Sequence, residues 1–208
     1  MENKLIQIFQ DQDLISKIQI KLPELFQLAE LESSRAGKVG MEVGSIREKI
    51  IIALLIYKFG EKNIETNIPI TNSEVDVKVF EQPISIKTIT GQNLSGVKLI
   101  WTVDAQKSLE FRQAYSPSCD MILIQINWNS AGGLYYIPVS SQIEMCNSME
   151  KTNYIKLPKQ GTNPRGVELT SQALKKLVAH THTYKIPINW NKKAIDYKPY
   201  QRWIELWE

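Results

Sequence analysis

Two neighbouring segments near residue 80 alternate apolar and polar side chains and are separated by a short polar turn. The first, 73–80, has valine at every second position, and the second, 83–89, carries Ile84 and Ile86 between polar residues. In a β-strand, side chains with this period of two point alternately to opposite faces. The pattern therefore predicts a β-hairpin with one apolar face and one polar face.

Helical and strand signals surround this hairpin. Before it, Ser45 and Glu48 have the spacing of a helix capping box, and a nearly unbroken apolar run, 50–57, follows and ends at Gly60. After it come a strand at 97–102, a helix capped by Asp104 and running through Tyr115, and a strand at 121–126. The predicted order is helix, three strands, helix, strand.

The remaining segments are predicted as additions to this core. Residues 13–34 predict one or two helices interrupted at Pro23, and 33–44 form a glycine-rich connector. A Gly132-Gly133 turn, a strand at 134–139, and helices at 140–149 and 171–180 are expected later in the chain. The aromatic tail, with tryptophans at 190, 203 and 207, is expected to pack against the domain or a second subunit.

The polar face of the hairpin carries candidate chemistry. If its apolar faces pack together, Asp76 and Lys87 converge on the polar side, close enough to hold a cation and a water between them. Magnesium prefers hard oxygen ligands and keeps some of its waters, and a lysine can orient the attacking water or help deprotonate it. The alternative is an ordinary amphipathic hairpin with solvated charges on its outer face.

The order of elements, with Asp76 on the first strand and Ser85-Ile-Lys87 on the second, resembles the PD-(D/E)xK nuclease superfamily over residues 45–126. The small size resembles a type II restriction endonuclease within it. The resemblance implies an α/β fold, with a mixed sheet flanked by helices and an αβββαβ core. It also implies Mg²⁺-dependent hydrolysis of double-stranded DNA at a specific short site leaving a 5′-phosphate, and a homodimer. Val75 stands where proline is usual, and Ser85 stands where a second acid is usual.

A second metal-binding acid must therefore come from elsewhere in the chain. Glu48 is the first candidate, because similar nucleases often place a glutamate on the helix before the hairpin. In this hypothesis Asp76, Glu48 and the Ile86 carbonyl hold the metal, and Asp76, Glu48 and Lys87 are catalytic. The alternative for Glu48 is a capping role, in which it bonds back to the Ser45 backbone N–H. Three other acids stay open as replacements: Glu42, Glu74 and Glu81.

Two segments rich in turn residues and hydrogen-bond donors are candidates for DNA contact. Arginine can bond guanine, asparagine or glutamine can bond adenine, and lysine neutralises phosphate. The candidates in the 156–166 loop are Lys159, Gln160, Asn163 and Arg165, and those in the 33–44 connector are Arg35, Lys38 and Met41. The alternatives are a plain surface turn and a solvated connector.

Composition adds weaker constraints. The net charge is only +3, from 25 basic and 22 acidic residues, so no global basic field indicates nucleic acid. The beginning of the sequence lacks a signal-peptide pattern and the longest apolar run is too short to span a bilayer, so a cytoplasmic protein is expected. Cys119 and Cys146 are expected to be buried thiols, and His180 and His182 lack an identifiable third metal ligand.

Two further functions share these observations. One is a structure-selective repair or recombination nuclease with the same catalytic residues. The other is a non-catalytic DNA-binding protein on a decayed nuclease scaffold, which Ser85 favours because an acid is usual there. The expected organisation is a single nuclease domain, 1–208. It consists of a helical arm and loop (1–44), a catalytic core (45–126) and a C-terminal region with a strand, recognition loop, helix and aromatic tail (127–208).

Overall fold

The computed structural model of the chain describes residues 4–35, 38–40, 42–69, 74–102, 104–159 and 166–208. The α-helices are α1 (Gln12–Glu32), α2 (Val43–Phe59), α3 (Ala105–Ala114), α4 (Val139–Ser148), α5 (Lys151–Tyr154), α6 (Ser171–Val178) and α7 (Gln201–Glu205). Two short 3-10 helices occupy Lys4–Phe9 and Glu61–Asn63. The strands are β1 (Ser34–Arg35), β2 (Lys38–Val39), β3 (Ile64–Glu65), β4 (Val77–Val79), β5 (Gln82–Thr90), β6 (Lys98–Trp101), β7 (Asp120–Ile126), β8 (Ala131–Ile137), β9 (Ile155–Lys156), β10 (Gly166–Leu169) and β11 (Tyr184–Asn189).

A six-stranded sheet in the order β11-β8-β7-β5-β4-β3 forms the centre of the molecule. β5 and β7 run parallel and the other pairs run antiparallel, so the sheet is mixed. All seven residues of β7 are buried, because Ile122 and Ile124 face the core beneath α1 and α2 while Met121 and Leu123 face a second core with α6. Nearly continuous apolar runs, here residues 121–126 with Gln125 as the one polar residue, are typical of strands covered on both faces. The predicted mixed α/β fold is confirmed.

Helices α1 and α2 form an antiparallel pair, and ion pairs join them near both ends. Lys58 Nζ lies 2.6 Å from Asp11 Oδ2 at one end, and Arg47 Nη2 lies 2.6 Å from Glu30 Oε1 at the other. The predicted interruption at Pro23 is wrong, since α1 continues through this residue. Proline costs the helix a backbone hydrogen bond. Burial of the residues around it, including Phe26 in the core, outweighs that cost.

The predicted capping box at Ser45 is also wrong. Helix α2 begins at Val43, and the Ile46 backbone N–H already donates to the Glu42 carbonyl at 3.3 Å. Ser45 therefore lies inside the first turn of α2 and is not its N-cap, the position that a capping box requires. The carboxylate of Glu48 is left to face the neighbouring hairpin.

The third strand of the predicted core does not join the central sheet. Both edges of β5 are already occupied, by β4 and by β7. β6 instead pairs with β10 in a separate three-stranded sheet of order β6-β10-β9. This small sheet covers the second core, into which Leu99 and Val167 pack.

The glycines predicted as a turn before β8 lie inside that strand. The chain turns earlier, over residues 127–130, where Asn129 has a positive φ of 62° and the Ser130 N–H donates to the Asn127 carbonyl. A Cβ atom at Gly132 would lie 2.6 Å from Nε1 of the buried Trp190 indole. Gly132 is therefore required for close packing against Trp190.

The aromatic tail is divided between core and surface. Trp190 is completely buried against Phe26 and Trp128. The tryptophans at the end, Trp203 and Trp207, are 51% and 92% exposed, so the expectation that the tail packs against its own domain fails for them. No helix in the described part of the chain is both long and apolar enough to cross a membrane.

Candidate active site

The hairpin that carries the candidate site is held in register by its turn. Phe80 and Glu81 both have positive φ, 49° and 68°, which is the backbone of the two-residue turns that favour hairpins. Val79 then pairs with Gln82 and Val77 with Ile84. The pairing continues one residue beyond β4, since the Asp76 N–H donates to the Ile84 carbonyl at 2.9 Å. Asp76 thus has a fixed position beside β5.

The side chain of Asp76 meets three donors from β5. Its Oδ2 atom accepts hydrogen bonds from the Ile86 backbone N–H at 2.6 Å, from Lys87 Nζ at 3.2 Å and from Ser85 Oγ at 3.3 Å. The side chains of Asp76 and Lys87 are 19% and 18% exposed, so both are accessible but mostly covered. The structure places the two side chains in contact, as the alternation predicts. Their catalytic role stays a prediction.

The main-chain carbonyl of Ile86 lies on the same side of β5. Within a strand, the N–H and C=O of one residue point to the same neighbouring strand. Because the Ile86 N–H donates to Asp76, its carbonyl oxygen also points toward Asp76 and away from β7. Ile86 lines the cleft together with Asp76 and Lys87. Its carbonyl is thus placed to serve as a third oxygen ligand for a cation.

Glu48 approaches this site from the first turns of α2. It is partly buried and lines the same cleft as Asp76 and Lys87. Burial is the largest cause that raises the pKa of Glu48, and the negative charge of Asp76 is the second. Lys87 and Lys49 lower this pKa. Two carboxylates therefore lie near each other beside Lys87, and a bound cation would relieve their repulsion.

The other candidate acids occupy different positions. The Oε2 atom of Glu74 accepts a hydrogen bond from Ser118 Oγ at 2.9 Å, and burial raises the pKa of Glu74. It lines a small internal cavity with Ser85 and Lys87, and it is not among the residues that line the open cleft. Glu42 and Glu81 are exposed and also lie outside the cleft lining. The geometry favours Glu48 as the second acid.

The walls of the cleft contain basic and aromatic residues that the sequence analysis missed. The cleft has a volume of about 810 Å³, and Lys98, Trp101 and Lys107 line it together with the acids. Lys98 Nζ lies 3.5 Å from the centre of the Trp101 ring, which is a cation–π contact. One signal could have identified Lys107: it occupies the first turn of α3, where the helix dipole disfavours a cation.

The predicted DNA-contact residues divide into three groups. Lys38 is exposed on β2, and the backbone of Arg35 lies in β1. Lys159 is exposed and lines a different depression beside the start of α3, with Asp104. The others lie outside the described residues: Met41, Gln160, Asn163 and Arg165.

Other polar residues have structural partners. Asp104 caps α3 by accepting hydrogen bonds from the backbone N–H groups of Gln106 and Lys107. His180 Nε2 lies 3.3 Å from Glu144 Oε2. Within the described ranges, no group of three or more histidine, cysteine, aspartate or glutamate residues could hold a metal. Two carboxylates and a carbonyl remain sufficient for Mg²⁺, which also retains waters and binds substrate phosphate.

An open cleft lined by two acids, a lysine in contact with one of them and further basic residues has the features of a metal-dependent nuclease with a mixed α/β fold. The comparisons with known proteins agree with this class. The family model described as "Restriction endonuclease ThaI" matches residues 8–208, so the chain belongs to this family of restriction endonucleases, which are site-specific deoxyribonucleases.

A solved structure supports the same assignment. It is described as "Restriction endonuclease in complex with substrate DNA" and is 57% identical in sequence. The match covers 99% of each chain with a TM-score of 0.93, so the similarity extends over the helical arm and the tail as well as the core. No curated protein matches the chain.

Proposed function

We propose that this protein is a type II restriction endonuclease of the PD-(D/E)xK superfamily that hydrolyses DNA phosphodiesters with Mg²⁺. It cuts within a specific short double-stranded site and leaves a 5′-phosphate and a 3′-hydroxyl. The observation that carries the proposal is the convergence of Asp76, Glu48 and Lys87 on one open cleft. The matching relative is described with substrate DNA, which supports a DNA duplex as the ligand of this cleft.

The residues present fit a magnesium ion. Asp76 and Glu48 supply hard anionic oxygens, the Ile86 carbonyl supplies a neutral one, and the like charges of the two acids favour a cation between them. When bound, the metal polarises the phosphate and stabilises charge on the attacking and departing oxygens. The Oδ2 atom of Asp76 is fixed by the Ile86 N–H, so the carboxylate is oriented before any ion binds.

Lys87 acts on the attacking water and on the phosphate. Its ammonium is held 3.2 Å from Asp76 Oδ2, which keeps it at the edge of the proposed metal site. There it orients the water by hydrogen bonding and offsets negative charge that develops on the phosphate. Ser85 donates to Asp76 at 3.3 Å, so the residue that replaces the usual second acid helps to fix the first one.

DNA contacts are proposed at three places. Lys98 and Lys107 on the cleft wall neutralise phosphates near the cut, and the exposed Trp101 offers an apolar surface beside them. The 33–44 connector contributes Arg35, Lys38 and Met41. The 156–166 loop contributes Lys159, Gln160, Asn163 and Arg165. We further propose a single nuclease domain that works as a cytoplasmic homodimer, with one cleft for each DNA strand.

Digestion of DNA of known sequence with purified protein and Mg²⁺, followed by end mapping, tests the proposal. Discrete, reproducible fragments with 5′-phosphate ends are expected, and Lys87→Ala should abolish them. Asp104→Asn is a matched control, because asparagine caps a helix as well as aspartate does. Cleavage of branched or damaged DNA alone would indicate a repair nuclease. Binding without metal-dependent cleavage would indicate a non-catalytic DNA-binding protein.

A further inference from the structure

The small internal cavity beside Lys87 contains polar groups that the proposed mechanism does not use. Its volume for the centre of a water molecule is about 10 Å³, which is close to the smallest space that holds one water. Glu74, Ser85 and Lys87 contribute polar side chains to its lining. Lys87 and Leu99 line both the cavity and the open cleft, so among the described residues Lys87 is the polar residue that the two share.

Glu74 is held in place beside this cavity with one carboxylate oxygen unsatisfied. Its Oε2 atom accepts a hydrogen bond from Ser118 Oγ at 2.9 Å, and its backbone carbonyl accepts one from Cys119 Sγ at 3.8 Å. Its Oε1 atom is buried and has no hydrogen-bond partner within the described ranges. Buried polar atoms in folded proteins nearly always have a partner, which is either a protein group or an ordered water. The Oε1 atom therefore calls for a donor in the cavity.

Lys87 has a hydrogen-bond donor to offer on the same cavity. A lysine ammonium carries three N–H donors. One donates to Asp76 Oδ2 at 3.2 Å, and a second is needed for the attacking water of the proposed reaction. The third can donate into the cavity. The two groups also affect each other electrostatically: burial is the largest cause that raises the pKa of Glu74, whereas the positive charge of Lys87 lowers this pKa.

A water molecule suits the space between these two groups better than a cation does. The ion pair of Lys87 is with Asp76, and no direct ion pair joins Lys87 to Glu74 in the described part of the chain. A bridging water can accept from the ammonium and donate to the carboxylate, so it connects groups that do not touch. A cation would meet the positive charge of Lys87 and only one carboxylate, because Glu74 is the one acid in the described lining.

We propose that Glu74 is a positioning residue for Lys87, acting through one buried water that accepts a hydrogen bond from the Lys87 ammonium and donates one to Glu74 Oε1. The inference rests on the proposed function, because that function assigns the attacking water to Lys87. Asp76 and the buried water together fix two N–H donors of the ammonium, so the remaining one keeps a constant direction toward the attacking water. Ser85 lines the cavity with a short side chain and leaves room for the buried water.

Kinetics of Glu74→Leu test this role. Leucine approximates the volume of glutamate and removes both oxygens. The single-turnover cleavage rate at saturating DNA and Mg²⁺ should fall by about 10–100-fold, because the ammonium loses its fixed direction. The Kd for DNA and the Mg²⁺ concentration that gives half the maximal rate should stay unchanged. The melting temperature should stay the same or rise, because a carboxylate with an unsatisfied buried oxygen has been removed.

Two further variants distinguish positioning from a general loss of structure. Glu74→Gln keeps an acceptor for the buried water and should recover most of the cleavage rate. Glu30→Gln is the matched control, since it makes the same change at a buried glutamate that pairs with Arg47 outside the cleft. This control should lower the melting temperature and leave the cleavage rate unchanged. A Glu74→Leu protein that cuts at the wild-type rate, or that loses melting temperature together with rate, would overturn the proposal.

A high-resolution crystal structure of the wild-type protein tests the contact itself. One ordered water should lie within hydrogen-bonding distance of both Glu74 Oε1 and Lys87 Nζ. A dry cavity, or a water that contacts Glu74 without Lys87, would overturn the proposal. The proposed function fails separately: a wild-type protein without Mg²⁺-dependent cleavage would contradict catalysis, whereas the presence or absence of this water is decided without any cleavage.

Discussion

Arg47 and Glu48 are neighbours on one helix, yet they belong to two different groups of charges. Arg47 points to the buried acid Glu30, which also accepts a hydrogen bond from Trp128 Nε1 at 2.8 Å and lies 3.5 Å from Lys192 Nζ. Around Glu30, two cations and an indole N–H surround one carboxylate. In the cleft, by contrast, two carboxylates lie near each other beside Lys87.

This difference in charge distinguishes the Glu30 group, which stabilises the fold, from the cleft group, which is suited to catalysis. The Glu30 group has partners for its carboxylate and joins α1, α2, the β7–β8 turn and the C-terminal segment. The cleft group places two carboxylates close enough for the charge of Asp76 to raise the pKa of Glu48, and it is open to solvent. A divalent cation would balance the second group and would gain little from the first. Changes in the cleft should therefore alter activity, and changes around Glu30 should alter stability.

The largest expected effect is on activity and comes from Asp76→Asn. Asparagine keeps the shape of the side chain and can still accept a hydrogen bond from the Ile86 N–H, but it removes the negative charge that the metal needs. We expect the cleavage rate to fall by about 10²–10³-fold or more, with the melting temperature nearly unchanged. Cleavage kinetics and thermal unfolding measure the two effects. Asp104→Asn should cut at the wild-type rate, and an active Asp76→Asn protein would contradict the account.

Arg47→Met should show the opposite behaviour. Removing one member of a buried ion pair leaves Glu30 without its closest cation, which costs about 3–5 kcal/mol. Chemical denaturation should show this loss in the free energy of unfolding. Glu30→Met/Arg47→Met should recover part of it, because neither buried charge then remains. If the single variant unfolds like the wild type, the Glu30 group does not stabilise the helix pair.

The pH dependence of the cleft follows from Glu48. Its raised pKa means that the metal-free folded protein holds a proton at pH values where an unfolded glutamate has lost it. This proton favours folding below the raised pKa, and the contribution is lost as the pH rises through it. Glu48→Gln should therefore stabilise the metal-free protein at neutral pH and remove that pH dependence, as thermal unfolding would show.

Metal binding requires the carboxylate form of Glu48. Activity should therefore fall on acidification at a higher pH than an ordinary glutamate would give, and added Mg²⁺ should move this fall to lower pH. A pH–rate profile that is independent of Mg²⁺ concentration would contradict a metal at Glu48.

The smallest expected effect comes from the cleft wall. Lys98→Ala removes one proposed phosphate contact and should weaken DNA binding about equally for all sequences. The slope of binding against salt concentration should fall by about one. Fluorescence anisotropy at several salt concentrations measures it. An unchanged slope would place the DNA away from this wall.

The parts of the fold that follow local patterns were predictable from the sequence. Alternation in β4 and β5 gives the hairpin and brings Asp76 to Lys87, because both follow from a period of two. The apolar run at 121–126, interrupted only by Gln125, gives the buried strand β7. Asp104 is an N-cap by its own chemistry, which requires no distant partner.

The parts that depend on distant partners were not predictable. β6 joins a second sheet because β5 has no free edge. Gly132 does not form a turn; it is required for close packing against Trp190, which is 58 residues away in the chain. Lys98 and Trp101 reach the cleft only through that second sheet. The start of α2 at Val43 depends on the hydrogen bonds of the preceding loop, so the position of Glu48 could be proposed but its geometry could not.

Metal binding at the cleft can be seen directly in crystals of the protein with a DNA duplex, soaked in Mn²⁺. The anomalous difference map should show one peak in each cleft, contacted by Asp76 Oδ, Glu48 Oε and the Ile86 carbonyl, and Asp76→Asn should remove it. A map with no peak in the cleft, or with its peak beside His180 and Glu144, would contradict the account.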